Sequence, residues 1–196
     1  MGRTAEAREQ YLKALQLGPS VASWSNLGML DYFEGRFSDA ARAYEEAEKL
    51  RPRDATTHRN LGDAYLAMGR RDDATQAYKE GLELLQTQLA TNPSDADAIS
   101  TLSVVEAKLG RMADARRHAA DAMALLPDNK DVLYHSAVVA TLDGRLDAAA
   151  GLLTRALARG YAVNTASKDP DLGRLRERPD IRAALAERQR LRDGGV

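Results

Sequence analysis

Cysteine is absent from the 196-residue chain, so the chain has no disulfide framework and no thiolate to act as ligand or nucleophile. Aromatic residues make up only 5% of it and do not cluster into a base-stacking platform. Neither sign of charge predominates: 28 Lys and Arg meet 29 Asp and Glu, for a formal net charge of -1. No overall positive field therefore draws nucleic acid or an anionic membrane surface. No run approaches the roughly 18 apolar residues of a membrane span. The opening Met1-Gly2-Arg3-Thr4-Ala5-Glu6 is polar where a secretory signal is apolar. A soluble, cytoplasmic protein is expected.

What is present is periodic. The chain is 44% hydrophobic and 29% charged, enough to bury a core, and its abundance of alanine and leucine favours helix. A Gly-Arg pair occurs at Gly2, Gly35, Gly69, Gly110 and Gly144, at intervals of 33, 34, 41 and 34 residues. Five residues after each glycine stands an alanine: Ala7, Ala40, Ala74, Ala115 and Ala149. Seven residues further stand Ala14, Ala47, Gly81, Ala122 and Ala156. Glycine ends a helix in the left-handed conformation without steric cost. Small residues after it let a second helix approach the first. Pro19, Pro52, Pro93 and Pro127 then stop that second helix. Each unit thus reads helix, glycine turn, helix, proline-bearing loop.

Residues 21–54 carry Trp24, Leu27, Gly28, Gly35, Ala40, Tyr44, Ala47 and Pro52, and the next unit carries Leu61, Gly62, Tyr65, Gly69, Ala74 and Tyr78. In this the chain resembles the tetratricopeptide-repeat (TPR) family, including TPR segments of bacterial proteins. Asp31 departs from the family's usual tyrosine, with Tyr32 beside it. Leu102-Ser103 and Ser136-Ala137 replace the leucine-glycine pair in the last two units. The resemblance implies an all-α fold: a right-handed superhelix of antiparallel helix pairs, a TPR solenoid, with a C-terminal helical cap. The expected layout is half a repeat at 1–20, repeats at 21–54, 55–95, 96–129 and 130–163, and a capping segment at 164–196.

The 41-residue interval is one repeat plus seven residues, close to two helical turns, so the added length keeps its face. Leu82, Leu85 and Leu89 continue one apolar side, which predicts a single long helix over 72–91. After Tyr161 the period fails. Pro170 and Pro179 suit first turns of helices, and Ile181, Ala184 and Leu185 give the last helix an apolar face. Such a segment can cover the terminal repeat. The final Gly194-Gly195-Val196 is expected to fray.

Catalytic chemistry is not expected, because no acid, base and nucleophile assemble in the sequence. His58, His118 and His135 lie in different repeats without metal-ligand spacing and are read as structural, so no metal or cofactor is expected. The arginines after the turn glycines read as solvated. Asp72-Asp73 and Asp95-Asp97 read as helix-start acids. The tail at 164–196 balances eight basic against six acidic residues, which argues for a solvated cap over a nucleic-acid site.

The resemblance places ligand contacts on the first helix of each repeat, along a concave groove. The place before the Leu-Gly pair holds Asn26, Asn60, Thr101 and His135, and an asparagine ladder can pair with an extended peptide backbone. Met29, Arg59, Asp63, Val104 and Tyr134 are further groove candidates. Tyr32 and Phe33 fit either the groove or the space between repeats. Asp97 and Thr101 stand where members that grip chaperone carboxyl termini need basic groups. The expected function is a non-catalytic interaction module binding a protein or peptide in that groove. A regulatory or oligomerising segment of a larger bacterial signalling protein (kinase, cyclase or transcription regulator) is the second reading. Residues 1–20 match only the second half of a repeat, so an apolar edge near Tyr11 and Leu15 is expected to lack its partner helix. A homodimer through that N-terminal helix would cover it.

Overall fold

The alanine and leucine spacing produces helix almost throughout. The structure, a computed structural model, describes the backbone of residues 2–194 and the side chains of residues 5–192. Gly195 and Val196, expected to fray, lie outside the described residues. Twelve α-helices follow in order among the described residues: α1 (Gly2–Leu17), α2 (Val21–Phe33), α3 (Phe37–Leu50), α4 (Ala55–Ala67), α5 (Arg71–Thr91), α6 (Ala96–Lys108), α7 (Met112–Leu125), α8 (Lys130–Leu142), α9 (Leu146–Ala158), α10 (Val163–Lys168), α11 (Gly173–Arg176) and α12 (Pro179–Gly194). A 3-10 turn at Pro170–Leu172 precedes α11. The chain divides into two compact units, residues 1–86 and 87–196.

Each helix pair is closed by the same turn. Gly35, Gly69, Gly110 and Gly144 all have φ +77, a left-handed conformation that a side chain would strain. The Gly35 N–H donates to the Tyr32 carbonyl and the Arg36 N–H to that of Asp31, at 3.0 and 2.9 Å. The same two bonds recur at Gly69-Arg70, Gly110-Arg111 and Gly144-Arg145. This closure satisfies carbonyls that the helix end would otherwise leave without partners. At the other ends Ser20, Asp54, Asp95 and Asn129 cap α2, α4, α6 and α8 with side-chain oxygens. Asp95 is the cap expected of it, while Asp72 and Asp73 lie in the first turn of α5.

Size matching across each pair explains why the last two repeats depart from the leucine-glycine pattern. A β-carbon on Gly28 would stand 2.7 Å from the Tyr44 ring, and one on Gly62 2.5 Å from the Tyr78 ring. At the place of those tyrosines, the later repeats have Ala119 and Leu153, both buried. Ser103 and Ala137 then occupy the glycine place, and both are fully buried. Ring and glycine change together. Gly62→Ala is therefore expected to destabilise the first unit by about 1–3 kcal/mol, because Tyr78 has no room to move. Urea unfolding of the single variant, and of Gly62→Ala/Tyr78→Leu, checks this; the second change should recover part of the loss.

In the first unit Tyr32, Ala40, Tyr44, Leu61, Ala64 and Ala77 form one apolar cluster, with Phe33, Phe37 and Tyr65 against it. A second joins Leu15, Leu27 and Ala43, with Tyr11 and Trp24 packed on it. This corrects the expected open edge. Tyr11 and Leu15 turn toward α2 and α3, because α1 lies against α2 much as one repeat lies against the next. The exposed leucines of α1 are Leu12 and Leu17 instead.

Among the described residues Asp31 is the most deeply buried carboxylate of this unit, at 1% exposure. Arg36 holds its Oδ1 with Nη2 at 2.7 Å and Nε at 2.8 Å, and Arg8 adds Nε at 3.2 Å. The arginine after the glycine is thus a partner for the unusual residue that precedes the turn. In the next repeat Arg70 lies over the Tyr65 ring, 4.2 Å from its centre. Arg70 stays exposed, as expected, whereas Arg36 is half-buried by its pairing with Asp31.

In the second unit the last turns of α5 bring Leu89 against Ile99, Ala122 and Val132. The single long helix over 71–91 agrees with the expected lengthening. The C-terminal segment belongs to this unit's main core. Val163, Ala166, Leu172, Leu175, Ile181 and Leu185 share a cluster with Leu133, Val138, Leu153 and Leu157 of α8 and α9. Arg178 ties the segment to Asp147 of α9 at 2.7 Å.

Candidate functional site

The first helices α2 and α4 lie side by side in the first unit, joined through Tyr32, Leu61 and Ala64. Asn26, Met29 and Phe33 fall at i, i+3 and i+7 on α2; Arg59, Asp63 and Leu66 fall at i, i+4 and i+7 on α4. Met29 is 43% exposed and Leu66 40%, whereas Asn26, Arg59, Asn60 and Asp63 are half-buried. Asn60 accepts from Arg59 Nη2 at 2.7 Å, and Asp63 accepts from the Tyr78 hydroxyl at 2.6 Å. Among the described residues Asn26 makes no side-chain hydrogen bond. Tyr32 is the exception. It is buried, edge-on to Phe33 and Phe37 at 5.3 and 5.4 Å, so the space between repeats takes it and not the accessible face.

Burial pushes the Tyr44 hydroxyl beneath this face far up, with Arg59 acting against the rise and Asp63 and Asp31 adding to it. Tyr65 is pushed up to about 12 by burial and by its hydrogen bond to Glu45, 2.8 Å long. Both phenols stay protonated, and Tyr65 donates to Glu45. A cleft of about 440 Å³ opens on another side, lined by Arg8, Trp24, Asp31 and Arg42 among others. Its charges are spoken for: Arg8 meets Asp31, Arg42 meets Asp39, and Glu46 meets Lys49.

The equivalent helices of the second unit, α6 and α8, present a different surface. Val104 and Tyr134, expected in the groove, are 3% and 5% exposed and belong to the core. For Tyr134 the reason is the chain's own tail. The Tyr134 hydroxyl donates to Asp169, and its ring stacks on Tyr161 at 3.8 Å. Burial first, and the Asp169 charge second, push that hydroxyl well above its ordinary range. Lys108 donates to Asp171 at 2.6 Å. Thr101 bonds back to the Asp97 carbonyl, and His135 Nδ1 meets Ser100 Oγ at 2.9 Å. Thr101 and His135 are thus engaged within the second unit, as Asn60 is by Arg59 in the first. His118 pairs with Glu106 at 2.7 Å, a bond that opposes the upward push of burial on that carboxyl.

Family models described as TPR repeat and tetratricopeptide repeat match residues 28–69, 53–128 and 101–163. The chain belongs to the tetratricopeptide-repeat family. No curated protein sequence matches it. Solved structures do. A thermophilic TPR protein of Thermus thermophilus, TTC0263, is 22% identical with a TM-score of 0.58, over 96% of this chain and 91% of that one. Pseudomonas aeruginosa pilF is 20% identical with a TM-score of 0.50, over 97% and 84%. At these identities the likeness shows the fold alone. This TPR chain has no described helix long and apolar enough to cross a membrane. TPR repeats generally mediate protein–protein interaction, which is as far as membership alone carries its function.

Sequence patterns do not reveal Asp169 and Asp171 as partners for α8 and α6. Nor do they reveal Glu48 and Glu80, which flank His58. Each contact joins residues of different elements, and no local motif signals it.

Proposed function

We propose that this TPR protein is a non-catalytic interaction module that takes an extended peptide segment of a partner protein on the α2–α4 face of its first unit. The observation that carries the reading is the contrast between the two units. The α2–α4 face keeps Met29 and Leu66 exposed beside Asn26, Arg59, Asn60 and Asp63, whereas Asp169 and Asp171 already engage α8 and α6. Met29 and Leu66 suit hydrophobic anchors of a peptide, and Asp63 suits a basic residue. Asn26 and Asn60 suit its backbone, since an amide side chain both donates and accepts.

A peptide selected from a displayed library against the whole protein provides the probe. Asn60→Ala is expected to weaken its binding by about 1–3 kcal/mol, because a peptide group is left without its partner in the complex. Stability should barely change, since Arg59 can turn to water. Titration calorimetry with wild type, Asn60→Ala and Asn26→Ala/Asn60→Ala decides the matter. Wild-type affinity in a folded double variant would remove the asparagines from the account.

A further inference from the structure

His58 differs from the other two histidines in what its ring faces. His118 and His135 each place Nδ1 against a hydrogen-bonding oxygen, that of Glu106 or of Ser100. In His58 it is Nε2 that is engaged, 2.9 Å from the Pro52 carbonyl. A carbonyl only accepts, so Nε2 carries the proton, and a neutral ring then presents Nδ1 as a bare lone pair. The residue is 4% exposed, and Nδ1 is buried without any hydrogen bond. It points at two carboxylates, Glu80 Oε2 at 3.2 Å and Glu48 Oε1 at 3.8 Å. A lone pair facing two acceptors is repulsive unless positive charge stands between them.

We infer that Glu48, His58 and Glu80 form a binding site for a divalent transition-metal ion of the zinc class. The three ligand atoms lie within 4.8 Å of one another. Bonds of about 2.0–2.1 Å to a tetrahedral zinc put neighbouring ligand atoms about 3.3 Å apart. The observed 3.2 and 3.8 Å bracket that separation. The Pro52 carbonyl supplies the outer hydrogen bond that fixes the tautomer and orients a ligating imidazole. An imidazole nitrogen in the inner shell favours zinc, cobalt or nickel over magnesium or calcium. The Glu48 and Glu80 side chains are 33% and 42% exposed, so an ion can enter and water can complete its coordination.

The ligands come from three consecutive helices, α3, α4 and α5, so the ion would brace the first unit. Gly81 of α5 sits against His58: a β-carbon there would stand 3.4 Å from the His58 β-carbon, an ordinary packing contact. This places the neighbouring Glu80 within reach of the ring.

The test uses the whole protein, stripped with EDTA and titrated with zinc chloride by calorimetry. One equivalent per chain is expected at this site, with a rise in melting temperature in excess zinc. Glu48→Gln and Glu80→Gln should each weaken binding at least about tenfold while leaving the fold intact, as both side chains reach solvent. Cobalt(II) should give a visible absorption band that the double variant lacks. Failure to take up zinc would overturn the inference, as would undiminished uptake by the folded double variant. Nitrogen NMR in excess zinc that finds both His58 ring nitrogens protonated would also overturn it. The site would then be an imidazolium held between two carboxylates.

Discussion

Deletion of residues 164–196 is expected to unfold or aggregate the second unit instead of trimming it. Leu172 and Leu175 are fully buried there and Ile181 is 1% exposed, all in one cluster with α8 and α9. Burial of each such side chain contributes about 1.5–3 kcal/mol. Several of them together approach the whole of the roughly 5–15 kcal/mol that holds a domain folded. The deletion would also strip Asp171 from Lys108, whose side chain is 3% exposed, and Asp169 from Tyr134. The apolar face left behind would invite association. Leu175→Ala is the milder form and should cost about 2–5 kcal/mol. Calorimetry and light scattering of the truncated protein check the point. An unchanged melting temperature and solubility would make the tail a free extension.

Replacing Arg36 by alanine is expected to cost about 3 kcal/mol, and to cost more than Asp31→Asn. The asymmetry follows from where the charges sit. Asp31 is buried at 1% exposure, while Arg8 and Arg36 are each 38% exposed in their side chains. Loss of Arg36 leaves a carboxylate in the core with one longer contact, to Arg8 at 3.2 Å. Breaking a buried pair in that way costs about 3–5 kcal/mol, and the remaining arginine keeps the figure at the low end. Loss of the charge on Asp31 leaves two arginines that water can reach, for about 1–2 kcal/mol. Denaturant unfolding of both variants measures the order. Equal costs, or the reverse order, would show that Asp31 does not depend on Arg36.

The repeating features are legible in the sequence because their causes are local. The Gly-Arg spacing marks turns whose bonds reach back no more than five residues, and Asp95 caps the helix it precedes. Asp31 stands out in the sequence as unusual, but Arg8 and Arg36 cannot be seen there as its partners. The pattern that finds a repeat treats the arginine as surface. The site is less legible for a similar reason. Met29 is exposed, and Asn26, Arg59, Asn60 and Asp63 are half-buried. Val104 and Tyr134 occupy equivalent places, yet both lie in the core, Tyr134 against a segment outside the repeats, and periodicity says nothing about where such a segment docks. Tyr11 and Leu15 depart in the opposite sense, being packed where an uncovered edge is expected.

The most direct measurement of the proposed function is hydrogen exchange of the intact protein with and without a library-selected peptide. The account predicts slowed exchange concentrated in α2 and α4, and its loss in the Asn26→Ala/Asn60→Ala variant. Protection confined to α6 and α8, or to the second helices α3 and α7, would contradict it.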